Sequence, residues 1–351
     1  MEERLPEHQD ELENILAFYP VQVESTWLLF NRGGRKQWLV KTNQGHMILK
    51  KEPRKFEKTL FISGAQQHLQ EKGLPISKLI QTSDGDLCLD GGDHSYVLYE
   101  AHSGQSMNYY NRDHLLHAMA FKAEFHDKSK GYAMPDGGKK RRRLGKWEKL
   151  YRWKLQELEG FKMLAGNQVA DPFSQLFTQN VDAMLDRGRQ AMGEINRPEF
   201  SKRVQAHLDQ NAFCEQDFTL SRLIMKEGRP FMRELRSVNI DLPTRDLRIF
   251  LDKVMKKFSV WDSSLCCDML KAYDEVHPLE KEDYRALWTD LRFPHVFCSI
   301  AQNYYLREKK SWSDDKYLAA LKNVMAVESS KQAFLDQFDD VYSEIKSVSP
   351  R

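Results

Sequence analysis

An aspartate placed after a short apolar run, and an acidic residue placed inside a second apolar run beyond a turn, can together move a phosphoryl group. The first run here is Phe213-Cys214-Glu215-Gln216-Asp217-Phe218-Thr219-Leu220-Ser221-Arg222-Leu223. The second is Pro230-Phe231-Met232-Arg233-Glu234-Leu235-Arg236, after a turn at Glu227-Gly228. In this chemistry an Asp orients or deprotonates the acceptor hydroxyl, an Asn five residues later binds metal, and an Asp after the next strand holds Mg²⁺ on the phosphates. Asp217 fits the first role, whereas Arg222 and Glu234 stand at the two metal-ligand positions. A guanidinium carries only donors and repels a divalent cation at contact distance. Glu234 can still offer oxygen, but its extra methylene moves the carboxylate by about one bond length, and positioning is much of this catalysis. The expectation is therefore no bound metal, with Arg222 and Glu234 paired and filling the site with protein charge. The alternatives are Arg222 acting as a substitute for the metal's charge, or metal held by Glu234.

Phe213, Phe218 and Leu220 around Asp217 predict a partly buried carboxylate. Burial would raise its pKa toward that of a useful base, and a partner in Arg222 would lower it. An Asp that merely satisfies backbone amides of a tight loop would show the same pattern. Lys50 closes a strand and precedes a helix, the place of a lysine that contacts nucleotide phosphates, and it could equally be the solvated end of an edge strand. Its expected acidic partner on the next helix is either Glu57 or Glu71, and neither is well spaced. Asn31-Arg32-Gly33-Gly34 joins two strands where a phosphate-covering loop would lie, but lacks a G-x-G-x-x-G pattern, and a hairpin explains its glycines. His126 lies near a helix end and reads as a structural cap. Asp246 reads as scaffold able to bond backbone amides of the Asp217 loop.

These residues need elements to hold them. A short helix over 8–18 precedes strand-like runs at 21–30, 36–42 and 46–50, separated by Asn/Gly turns and forming an antiparallel meander. A helix over 56–72 follows, with Leu60, Phe61, Gln67, His68 and Leu69 setting its face, and Gly73 stops it. Strands at 79–82, 86–89 and 94–100 complete the sheet. From His114 the pattern turns helical, with segments near 114–128, 146–164, 173–194, 199–209, 245–260, 262–275, 280–290, 293–309, 314–328 and 330–347. The expected fold is α+β and bilobal, protein-kinase-like. It has a small antiparallel-sheet lobe over 1–102 and a larger, mainly helical lobe over 103–351 carrying the Asp217 loop.

Composition narrows the rest. The 351 residues carry a net charge of +2, with 30% charged and 41% hydrophobic residues, which is ordinary for a globular chain and gives no global case for nucleic acid as partner. No run of about 18 apolar residues predicts a membrane span, and the acidic Met1–Glu7 stretch lacks the apolar core of a signal peptide. Five scattered cysteines without a C-x-x-C pair predict reduced, buried thiols and no zinc. Lys139, Lys140, Arg141, Arg142 and Arg143 form a run whose mutual repulsion favours an exposed loop. It is either a solvated loop or a docking patch for an acidic protein, a polyanion or a glycan.

Longer blocks carry a resemblance. His68-Leu69-Gln70-Glu71-Lys72-Gly73-Leu74-Pro75-Ile76, Arg143-Leu144-Gly145-Lys146-Trp147, Leu150-Tyr151-Arg152-Trp153-Lys154-Leu155 and Gln216-Asp217-Phe218-Thr219-Leu220 are four of them. Asp241-Leu242-Pro243, Phe258-Ser259-Val260-Trp261-Asp262 and Lys310-Ser311-Trp312-Ser313-Asp314 add to these. With them the chain resembles, over nearly its whole length, the CotS/CotI family of spore coat proteins, within the aminoglycoside-phosphotransferase-like kinase superfamily. The superfamily pattern would have His at 215, Asp at 217, Asn at 222 and Asp at 234; the chain has Glu215, Asp217, Arg222 and Glu234, matching only at Asp217. The resemblance implies a spore coat component made in the mother cell cytoplasm, with other coat proteins as partners. The departures point to a pseudokinase without cofactor. An active phosphotransferase using Lys50, Asp217 and Glu234 with ATP and Mg²⁺ is the first alternative, and a metal-independent nucleotide or sugar binder the second.

Overall fold

A computed structural model describes residues 9–347. The chain divides into two compact units. The first comprises residues up to Asn108 together with Asp127–Arg142 and Thr219–Ile240. The second comprises Tyr109–His126, Arg143–Phe218 and the residues from Asp241 on. The segments 127–142 and 219–240, assigned by sequence to the second lobe, thus group with the sheet.

In the sheet unit, helix α1 (Gln9–Leu16) leads into β1 (Val23–Arg32), β2 (Arg35–Thr42) and β3 (Gly45–Glu52). After helix α2 (Phe56–Glu71) come the short strands β4 (Leu79–Ile80) and β5 (Leu89–Asp90), then β6 (Ser95–Glu100) and β7 (Gln105–Ser106). The sheet runs in the order β1-β2-β3-β6-β4, with β5 also on β6, and every pairing is antiparallel. Gly33 and Gly34 both have positive φ, which a two-residue hairpin with right-handed strand twist requires. Alternating burial along β2 and β3 places Trp38, Val40, Met47 and Leu49 against Leu12, Leu16 and Tyr96 in one core. Helix α2 is buried along most of its length, including Thr59, Ser63 and Gln66. The predicted face was wrong by one position: Gln66 rather than Gln67 points inward.

The hairpin β9 (Leu223–Lys226) and β10 (Arg229–Met232) belongs to this unit because β7 pairs with β9. Further along, Met232 N–H donates to the Pro75 carbonyl and Ser77 N–H to the Met232 carbonyl, at 2.8 and 2.9 Å.

The second unit is helical: α3 (Arg112–Lys128), α4 (Trp147–Gly166), α5 (Pro172–Ile195), α6 (Pro198–Leu208), α7 (Pro243–Phe258), α8 (Ser263–Asp274), α9 (Lys281–Arg292), α10 (His295–Tyr305), α11 (Asp314–Asp336) and α12 (Phe338–Lys346), with the two-residue strand β8 (Cys214–Glu215) between α6 and α7. Asp171, Asp262 and Ser313 cap α5, α8 and α11 through side-chain oxygens, each satisfying an orphan N–H of a first turn. Helix α11 continues to Asp336, so the break expected near 329 falls at Gln337 instead. Its inner residues Val327, Glu328 and Lys331 are all buried, and Lys331 donates to Glu328 at 2.8 Å, which carries the helix through that stretch. The five cysteines are unpaired and buried, as the sequence predicts.

Candidate active site

The sequence-selected residues fall into two groups, one in each unit. In the sheet unit, β3 delivers Lys50 inward, because Lys50 alternates with the core residue Leu49 and faces away from it. Its ammonium forms an ion pair with Glu234, and both residues are buried, at 6% and 8% exposure. Neither Glu57 nor Glu71 is that partner. Burial, helped by the Arg236 and Arg222 guanidiniums, pushes the Lys50 ammonium down to about 7, while the nearby Glu52 carboxylate opposes the shift. Glu52 itself is held by Arg54 at 2.7 Å and Arg35 at 3.5 Å.

Glu234 is placed by residues that sequence reasoning passed over. The Gln66 side chain accepts from Leu235 N–H at 3.1 Å and donates to the Ser77 carbonyl at 2.7 Å. Arg54 donates to the Arg236 carbonyl at 3.0 Å, bracketing Glu234 from the other side. A polar Gln on the apolar side of α2 was the available signal, since a buried amide must find partners. Arg222, in the 3₁₀ turn Leu220–Arg222, is buried at 7% and accepts at its carbonyl from Arg233 N–H at 2.9 Å. The metal-ligand positions therefore lie in a cluster rich in basic side chains: Lys50, Arg222 and Arg236. A divalent ion entering it would have to take the Glu234 carboxylate from Lys50 and sit among these charges, so the donor set does not fit Mg²⁺.

In the helical unit, Asp217 follows β8. Its side chain is 54% exposed, with Lys253 Nζ of α7 at 3.6 Å. The expected partial burial is not found, because Phe218 and Leu220 take the interior and turn the Asp217 carboxylate outward. Lys253 also donates to the Phe218 carbonyl at 2.8 Å, so one lysine fixes the loop and sits beside the carboxylate.

The loop is anchored by Asp241, not by Asp246. Buried Asp241 accepts from Gln216 Nε2 and from Trp147 Nε1, each at 2.8 Å, and its carbonyl accepts from the Cys214 thiol at 3.1 Å. Burial raises the Asp241 carboxyl to about 6, against the pull of Arg245 and the Trp147 N–H. Asp246 instead meets Lys122 Nζ and His126 Nε2, each at 3.2 Å. His126 is thus a buried buttress and not a helix cap, its Nδ1 lying 2.8 Å from the Tyr273 hydroxyl. Burial lowers its pKa to about 4, so it is neutral at pH 7.

His126, Cys214 and Asp246 bring ligand-type atoms within 4.8 Å of one another, a cluster that the spacing of these residues along the chain conceals. Lys122 already neutralises Asp246 there, and burial pushes the Cys214 thiol well above its ordinary value, away from the thiolate that zinc needs. The donor set suits a protein-only network.

The basic run is divided in its surroundings. Lys139, Lys140, Arg142 and Arg143 are exposed, whereas Arg141 is half-buried and its carbonyl accepts from Ile240 N–H at 2.9 Å.

An antiparallel sheet unit that carries a strand-borne lysine and an acid after a hairpin, and a helical unit that carries a loop aspartate, are the features of the aminoglycoside-phosphotransferase-like class of kinase-like folds. An aminoglycoside phosphotransferase from Alicyclobacillus acidocaldarius shares this fold with a TM-score of 0.78 at 18% identity, over 99% of this chain and 98% of its own. A spectinomycin phosphotransferase in complex with ADP and spectinomycin gives a TM-score of 0.59 at 13% identity, over 92% and 98%.

Within that class, the chain belongs to the family described as "Spore coat putative kinase YutH", which matches residues 13–338. Spore coat protein S of Bacillus subtilis is 47% identical over 342 residues, covering 97% of each chain. The endospore coat-associated protein YutH of the same organism is 25% identical over 79% of this chain and 74% of its own.

Proposed function

We propose that this protein is a structural and assembly component of the bacterial endospore coat, built on a kinase-like fold that no longer performs metal-dependent phosphoryl transfer. The observation carrying the second half is the buried ion pair of Lys50 with Glu234, which engages the phosphate-contacting lysine and the metal-ligand carboxylate with each other. The first half is supported by two relatives named for the spore coat, one of them 47% identical over nearly the whole chain. The chain would be made in the mother cell cytoplasm and deposited with other coat proteins. Exposed Lys139, Lys140, Arg142 and Arg143 would offer a docking patch for an acidic partner or a polyanion.

A second reading is favoured by the same cations. Lys50, Arg222 and Arg236 could hold a nucleotide's phosphates without metal, provided Glu234 yields its lysine. Calorimetric titration with ATP, once with Mg²⁺ and once with EDTA, separates these readings. No heat in either buffer is expected. Binding that strengthens with Mg²⁺ would overturn the proposal in favour of an active kinase, and binding indifferent to Mg²⁺ would establish the metal-independent site.

A further inference from the structure

Strand β1 ends the sheet, and among the described residues no strand pairs with its outer side. Its side chains are unusual for such a position. Val23, Trp27, Leu28, Leu29 and Phe30 are each between 40% and 56% exposed. An open edge presents a row of N–H and C=O groups that templates another strand, and natural sheets blunt it with lysine, proline or a covering element. Residues 23–32 contain neither lysine nor proline, and Ser25–Asn31 is an uncharged, β-favouring stretch of seven residues. Register shifts near Glu24 and Leu29 curl the strand against β2 without pairing its outer side.

The charges at the two ends decide the partner. Glu24 lies near the start of the strand and Arg32 ends it, with no other charge between. An antiparallel second copy centred on Leu28 places Trp27 against Leu29, Thr26 against Phe30, and Glu24 against Arg32 at both ends. Glu24 pairs with Lys41 in an exposed ion pair worth little, which leaves its carboxylate available to the second copy. A two-fold arrangement is self-complementary by construction, since each contact occurs twice. We infer that this protein self-associates by antiparallel pairing of β1 with β1 of a second copy, in the register that sets Leu28 opposite itself and Glu24 opposite Arg32.

Cysteine placed at the centre of the register tests the geometry directly. Facing Cα atoms in such a pair lie about 4.5–5.5 Å apart, within disulfide range. Because all five native cysteines are buried, full-length Leu28→Cys is expected to form a disulfide-linked dimer under mild oxidation, and Ser25→Cys is not. A mixture of Glu24→Cys and Arg32→Cys proteins is expected to crosslink, with neither doing so alone. In sedimentation equilibrium, Arg32→Glu should weaken the dimer roughly fivefold and Glu24→Arg/Arg32→Glu should restore it, since opposed charges contribute and like charges repel. Trp27→Lys/Leu29→Lys, at exposed positions that leave the fold intact, should yield monomer. A wild-type chain that stays monomeric into the millimolar range would overturn the inference. So would dimerisation unaffected by the two lysines, or self-crosslinking through Ser25 in place of Leu28.

Discussion

Asp241, Asp246 and Asp290 of the helical unit each meet donors that fit them. Asp290 accepts from Arg248 at 2.9 Å and lies 2.7 Å from His295, and the other two hold the loop and the base of α3. In the sheet unit Glu234 meets Lys50 directly, with the Glu52 carboxylate and the guanidiniums of Arg236, Arg222 and Arg35 acting on the same ammonium. The first pattern belongs to a frame: each of these buried carboxylates has at least one matched donor, even though Asp246 Oδ1 finds none. The second sets opposite charges against one another at the positions that contact phosphate and metal in the kinase-like pattern. On the proposed reading, the contrast would place the change of function in the sheet unit and leave the side chains that shape the Asp217 loop in place.

Removing the acid from the sheet cluster is the strongest test of this contrast. Glu234→Ala would leave Lys50 buried among like charges, and an unpaired buried ion typically costs about 3 kcal/mol. Replacing both partners, as Lys50→Met/Glu234→Leu, should restore most of that loss, because no stranded charge remains. Urea denaturation of the three proteins measures the difference. If Glu234→Ala lost nothing, Lys50 would already be neutral and the cluster would be an open site rather than a closed pair.

The helical frame predicts a pH effect of intermediate size. Burial holds the His126 pKa at about 4, below its ordinary 6.5. The unfolded chain therefore binds the proton first, and the stability from neutral His126 is complete above pH 6.5 and lost as pH falls toward 4. The expected loss is about 2 kcal/mol. His126→Gln should flatten this acid limb of the unfolding free energy, measured between pH 7 and 4.5. An unchanged limb would assign the acid sensitivity to other groups.

The sequence reveals the frame better than it reveals the centre. Hydrophobic periodicity located β1 to β3, α2 and most helices of the second unit, because a 3.6-residue or 2-residue repeat survives in any one-dimensional reading. It misplaced the break in α11, where the buried Glu328 and Lys331 neutralise each other and read as polar surface when taken singly. Lys50 and Glu234 were identifiable as chemistry-bearing residues, but their contact joins positions far apart in the chain. Asp241 and Lys122 escaped for the same reason, since each acquires its role only from the partner that folding supplies, whereas Gln66 did carry a signal as a polar residue on the buried side of α2.

Asp217 gives the smallest and sharpest test of the contrast. Its exposed carboxylate has Lys253 at 3.6 Å, a pair in solvent that contributes little. Asp217→Asn should shift stability by no more than about 0.5 kcal/mol. A catalytic aspartate whose removal costs nothing in stability is common in working kinases too, so the thermal midpoint alone does not separate the two cases. Incorporation into the coat does. If the chain acts there as scaffold, Asp217→Asn should enter extracted spore coats at the wild-type level, since the substitution disturbs neither the Asp241 anchor nor the buried pair of Lys50 with Glu234. Loss of incorporation by this one isosteric change, with the fold intact, would mean that Asp217 still does chemistry on which assembly depends.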